Sequence, residues 1–126
     1  MIFGFRCVMP AIAAAFAATM LAPAANAAGA LAVGDCGANG YTYSYGSPDD
    51  AANEALRQCQ LNGGQNCHVV SNIQGSCAAF AFDQNNTCGA QGWGTGSSRE
   101  AAENIAIQYC QQYGGTGCTI RRWVCD

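Results

Sequence analysis

The chain has one histidine, His68, and it stands directly after Cys67. A hydrolase needs a nucleophile with a base, a pair of carboxylates, or a metal. His68 is the only candidate base, and with a serine and an aspartate it would define a small secreted hydrolase. A histidine on a strand more often has a structural or exposed place. The serines add little: Gly75-Ser76-Cys77 lacks the G-x-S-x-G spacing of a nucleophile elbow. Asp49, Asp50, Glu100 and Glu103 fall in the first turns of predicted helices, where carboxylates cap and complement the helix dipole. Cys59, Cys67 and His68 could be drawn as a zinc cluster, but the spacing is not that of a finger. No glycine-rich segment has phosphate-loop or dinucleotide-loop spacing. The expectation is a protein with no catalytic set, no metal and no cofactor.

Aromatic residues offer binding instead. Tyr41, Tyr43 and Tyr45 alternate, which places them on one face of a strand. Trp93 is the counterpart of Tyr41 in a second, similar stretch. Facing outward, such a strip suits contact with carbohydrate, peptide or protein. Facing inward, it is core, and the Thr42/Ser44 face opposite is the better solvent face, which favours at least partial burial. Arg121, Arg122 and Trp123 form a second patch, in which an arginine stacks on the tryptophan.

Eight of the nine cysteines lie in residues 28–126: Cys36, Cys59, Cys67, Cys77, Cys88, Cys110, Cys118 and Cys125. An even count in a short exported chain reads as a disulfide framework. Export is expected from the N-terminus. Arg6 precedes an apolar run from Val8 to Leu21, followed by Pro23 and the small triplet Ala25-Asn26-Ala27. This is the pattern of a cleavable signal, removed after Ala27 together with Cys7. The run is too short for a membrane anchor. Residues 28–126 then form a single domain, periplasmic or secreted. Beyond Arg6 it carries eight acids against four arginines and no lysine. With no basic patch, nucleic acid and anionic membrane are poor partners.

The elements that must position these residues come in two copies, about 29–77 and about 78–126. Cys36-Gly37-Ala38-Asn39-Gly40-Tyr41 recurs as Cys88-Gly89-Ala90-Gln91-Gly92-Trp93, and the block Ser47 to Asn53 aligns with Ser97 to Glu103. Cys59 and Cys67 are eight apart, as are Cys110 and Cys118, with Gly63-Gly64 and Gly114-Gly115 between them. Each copy reads as a short apolar strand (Ala30 to Val33; Ala78 to Phe82), an aromatic strand (Tyr41 to Tyr45; Gly92 to Thr95), a helix, and an alternating strand (Cys67 to Ile73; Cys118 to Val124). Ser47 with Pro48 and Asp50 marks one helix start, and Ser97 with Glu100 the other. Ala51, Ala52, Ala55, Leu56 and Cys59 make one buried stripe; Ala101, Ala102, Ile105, Ala106, Tyr109 and Cys110 make the second. The predicted fold is α+β: two tandem β-β-α-β repeats related by a pseudo-two-fold, with a mainly antiparallel sheet and two packed helices.

The Gly-Gly turns bring Cys59 to Cys67 and Cys110 to Cys118 within disulfide reach. Two symmetric pairings of the rest remain open: Cys36–Cys88 with Cys77–Cys125, or Cys36–Cys77 with Cys88–Cys125. The first, which crosses between copies, is preferred.

The ordered set of capped Ala-rich helix, Cys, Gly-Gly, Cys and alternating strand, with Gly75-Ser76-Cys77-Ala78-Ala79 and Gly92-Trp93-Gly94-Thr95-Gly96, resembles the bacterial domain-of-unknown-function 4189 family over about residues 29–125. The resemblance implies a small exported protein and brings no catalytic residue. It matches Cys59, Cys67, Cys77, Cys110, Cys118 and Cys125 to family positions and makes Cys36 and Cys88 an extra pair, which supports Cys77–Cys125. The functional expectation is a non-enzymatic binding module with a protein or carbohydrate partner. The alternatives are an enzyme inhibitor presenting the loop from Gln84 to Thr87, or the hydrolase built on His68.

Overall fold

The computed structural model describes residues 27–126. The signal-peptide reading, apart from its last residue Ala27, falls on residues outside these, and Ala28, the expected first residue after cleavage, is the first of a strand. Among the described residues no helix is long and apolar enough to cross a membrane.

Each half begins with its most apolar strand, and that strand becomes the centre of a sheet. In the first half the elements are β1 (Ala28–Val33), β2 (Asn39–Tyr45), α1 (Pro48–Leu61) and β3 (His68–Ile73). In the second they are β4 (Cys77–Asp83), β5 (Gln91–Gly96), α2 (Arg99–Gln112) and β6 (Cys118–Cys125). The strands form two three-stranded antiparallel sheets, ordered β2-β1-β3 and β5-β4-β6. The antiparallel sheet anticipated from the pattern is thus divided in two, one sheet per half.

Alternation along the central strands explains the layering. Ala30 and Ala32 of β1 turn to Ala51, Ala55 and Cys59 of α1. Ala79 and Ala81 of β4 turn to Ala102, Ala106 and Cys110 of α2. The larger residues on the opposite faces, Leu31, Val33, Ile73, Phe80 and Val124, meet between the sheets together with Ala78. Small residues let each helix lie close on its own sheet. Large ones fill the space between sheets, where burying each of Leu31, Val33, Ile73 and Phe80 contributes about 1.5–3 kcal/mol. The layer order is helix, sheet, sheet, helix, with β1 over β4, β2 against β6 and β3 against β5.

Contact between helix and strand is tightest at Gly40 and Gly92. A Cβ on Gly40 would lie 2.0 Å from the Ala55 carbonyl oxygen, and one on Gly92 would lie 2.2 Å from that of Ala106. Gly63 and Gly114 end the helices with positive φ of 79° and 93°, the left-handed conformation that glycine adopts without strain.

Three expectations need correction. The second helix is capped by Ser98, whose hydroxyl accepts the Ala101 N–H at 3.1 Å, not by Ser97 with Glu100. The equivalence therefore runs Ser47 to Ser98 and Ala51 to Ala102, one residue later than the aligned blocks. Tyr109, placed in the buried stripe of α2, is 46% exposed. Lastly, Cys77 opens β4 instead of closing the first half, so Cys77–Cys125 is a cross-strand bond inside the second sheet. Among the disulfides of the described residues only Cys36–Cys88 joins the two halves; Cys59–Cys67 and Cys110–Cys118 tie each helix end to its following strand.

Candidate functional site

Position 44 decides where the tyrosines go. Ser44 has a φ of 59° and sits in a bulge of β2, where the register with β1 slips between Ala28 and Ala30. A bulge reverses the facing of the residues beyond it. Tyr41 therefore packs beside the inter-sheet cluster, whereas Tyr45 packs on the helix side with Ala28 and Ala51. The three tyrosines do not share a face. Tyr41 and Tyr43 line a cavity of about 360 Å³ at the β2/β6 side with Arg122 and Trp123. The Arg122 guanidinium lies 4.7 Å from the Tyr41 ring centre, and its Nε donates to Asn39 Oδ1 at 3.1 Å.

The Arg121–Arg122–Trp123 patch separates in a similar way. Register between β4 and β6 slips between Phe80 and Ala81, which puts a bulge at Arg121. Arg121 then lies over Phe82, and Trp123 is covered by Arg99 of α2 at 4.1 Å. Arg99 in turn is paired with Glu103.

Trp93 lies on the other side of the molecule from Tyr41. It lines a groove of about 470 Å³ along β5, bounded by Ile105, Tyr109 and Tyr113 of the second helix region and by Val70 and Ser71 of β3. Its floor is Gly92 and Gly94, and Gln91 and Thr95 supply polar groups. Trp93, Tyr109 and Tyr113 are 36%, 46% and 72% exposed. His68 reaches this side as well, with its ring edge-on to Trp93 at 5.8 Å. His68 is exposed, and its Nδ1 lies 3.1 Å from the Asn66 carbonyl oxygen. Ser71 and Thr95 hydroxyls bond across the two sheets at 2.8 Å.

Tyr109 and Tyr113 were not among the sequence candidates. A signal existed: with Cys59 set against Cys110, Gln58 aligns with Tyr109 and Asn62 with Tyr113. Two amides in one copy are thus two phenols in the other.

The loop from Gln84 to Thr87 is exposed and tied at both ends. Asp83, itself buried, accepts N–H bonds from Asn85 at 2.9 Å, Thr116 at 3.2 Å and Gly117 at 3.1 Å. Those backbone donors, Asn85 first, hold its carboxyl below the usual value. On the far side, Cys88 is bonded to Cys36. Among the described residues no group of three or more His, Cys, Asp or Glu side chains could hold a metal ion.

Two β-β-α-β halves joined sheet to sheet and stapled by four disulfides define a small α+β domain of the kind found in oxidising compartments. The family model of DUF4189, a domain of unknown function, matches residues 28–125, and the chain belongs to that family. Among solved structures, it is similar to the NMR structure of Rv1813c from Mycobacterium tuberculosis. The two are 26% identical, with a TM-score of 0.55, covering 79% of this chain and 75% of that one. Among curated proteins no sequence matches.

Proposed function

We propose that the chain is an exported, disulfide-stabilised, non-enzymatic binding module whose ligand lies in the groove along β5. The observation that carries this reading is the groove itself: an open concavity walled by Trp93, Tyr109 and Tyr113, with hydroxyl and amide groups between them. Rigid aromatic side chains with polar edges give large contact area at low entropic cost. Support for binding over catalysis comes from His68, whose Nδ1 faces a backbone carbonyl instead of a carboxylate that would orient it. Export is supported by the disulfides and by the leader pattern that ends at Ala27.

Two measurements test this. N-terminal sequencing of the exported protein is expected to start at Ala28; recovery of the intact leader would overturn the export reading. Neutral oligosaccharides and uncharged peptides, titrated against labelled protein, are expected to move the Trp93 indole signal and leave Trp123 unmoved. Movement of Trp123 alone would transfer the site to the β2/β6 cavity.

The tied loop from Gln84 to Thr87 supports a second reading, an inhibitor that inserts this loop into an enzyme cleft. Its rigidity at both ends is the feature such a loop requires.

A further inference from the structure

Each three-stranded sheet has two outer strands, so the domain has four strand edges. Open edges invite pairing with other chains, and natural proteins blunt them with bulges, charges or covering groups. Three edges here are blunted. β3 carries a bulge at Val70, where its register with β1 slips between Leu31 and Ala32. β6 carries the equivalent bulge at Arg121. β2 has the Ser44 bulge, and side chains take three of its backbone groups. Gln58 Oε1 accepts the Tyr41 N–H at 3.2 Å, Asn62 Nδ2 donates to the Asn39 carbonyl at 3.3 Å, and Asp126 Oδ1 accepts the Ser44 N–H at 3.3 Å.

Among the described residues β5 has none of these devices. Its pairing with β4 runs without a slip from Cys77↔Gly96 to Phe82↔Gln91. The register makes Trp93 the equivalent of Tyr41: Tyr41 opposes Leu31 and Trp93 opposes Phe80 at the centre of each sheet. The Trp93 N–H therefore points outward as the Tyr41 N–H does, with the same groups of Gln91 and Thr95 two residues either side. Where Gln58 and Asn62 cap β2, the second half has Tyr109 and Tyr113, which stand beside the edge and leave it open. Where Arg122 covers Tyr41, the register places Ser71 opposite Leu31. The asymmetry between the halves at these three positions is what makes the groove.

We infer that β5 accepts an extended, uncharged peptide segment as a fourth strand of the second sheet. This rests on the groove being the ligand site and names the ligand. The incoming backbone would pair with the outward groups of Gln91, Trp93 and Thr95. Its side chains would alternate between Tyr109 and Tyr113 on one face and Trp93 with Val70 on the other. Among the described residues no charged side chain lines the groove, so a charged segment would lose its hydration there without gaining a partner.

The test uses a capped heptapeptide of alternating threonine and valine, and the same peptide N-methylated at alternate amides so that it cannot form the ladder. Backbone amide exchange and indole shifts of the full domain are followed by NMR. The expected result is slowed exchange at Gln91, Trp93 and Thr95, with little change at Gly92 and Gly94, and at least tenfold weaker binding of the methylated peptide. The double variant Tyr109→Gln with Tyr113→Asn should recreate the capped edge of β2 and abolish binding while leaving the thermal midpoint of unfolding and the other amides unaltered. If both peptides bind equally and move Trp93, the groove reading stands and strand addition falls. The same holds if only a neutral oligosaccharide moves Trp93. If these amides are protected without peptide, in step with a concentration-dependent mass, the occupant is a second copy and the inference is wrong. If no probe moves Trp93, the groove reading and the inference fall together.

Discussion

Asp83 is a buried carboxylate held by three backbone N–H groups drawn from two loops. Because its folded pKa is depressed below the ordinary 3.8, it contributes stability that is fully present above that value. The contribution is lost as pH falls through the folded pKa. Thermal midpoints should therefore drop on acidification below the normal carboxylate range. Asp83→Asn should start lower at neutral pH and fall less steeply; parallel profiles would show that the carboxylate's charge is not what matters. The exposed Glu54–Arg57 pair, at 2.6 Å, should contribute little by comparison. Asp83 was not legible in the sequence, since two of its donors come from residues more than thirty positions away. The sequence places His68 on a strand after Cys67 but does not show that it lies exposed beside Trp93. The tyrosines depart from a single face for a local reason: alternation predicts one face only while the strand stays regular, and Ser44 interrupts it.

At the scale of elements, helix starts and glycine contacts can be tested directly. Ser98→Ala should cost about 1 kcal/mol in denaturant unfolding, as should Ser47→Ala. Ser97→Ala should be near neutral; equal losses at Ser97 and Ser98 would restore the cap expected from the sequence blocks. Two adjacent serines can each cap a helix, and Glu100 three residues after Ser97 completes a capping box that favours the wrong one; the burial of Ala102, Ala106 and Cys110 sets the phase. Gly40→Ala should destabilise by about 1–3 kcal/mol or more, because its Cβ meets backbone of α1 that cannot move aside. Gly46→Ala has nothing within 4 Å and serves as the control, with a change of a few tenths of a kcal/mol or a slight gain. The helices, strands and Gly-Gly turns themselves were readable, as each depends on residues close in sequence.

For the molecule as a whole, the four disulfides do different work. Cys36–Cys88 and Cys77–Cys125 close loops of 52 and 48 residues, while the other two close loops of 8. On chain entropy alone, replacing either long-range pair by alanines should cost roughly 4 kcal/mol and either local pair roughly 2–3 kcal/mol. The long-range pairs should also differ from each other under hydrogen exchange. Loss of Cys36–Cys88 should loosen the link between the β1–β2 loop and the β4–β5 loop. Loss of Cys77–Cys125 should fray β6 from β4. If loss of Cys77–Cys125 instead exposed Leu31 and Phe80 together, the bond would be acting between the halves after all.

Read alone, the sequence determined the element order of both halves, the local Cys59–Cys67 and Cys110–Cys118 bridges and the family resemblance, because periodicity, caps and short spacings are local properties. It narrowed the remaining cysteines to two symmetric pairings without settling which sheet each belonged to. Tertiary structure alone decided that the strands split into two sheets, that Cys77 belongs to the second, and that Trp93 and Tyr41 end on opposite sides. It also decided that Tyr109 and Tyr113 wall an open strand edge. These depend on how bulges turn side chains between faces and on which large residues meet between sheets, and both are set by packing across the whole domain.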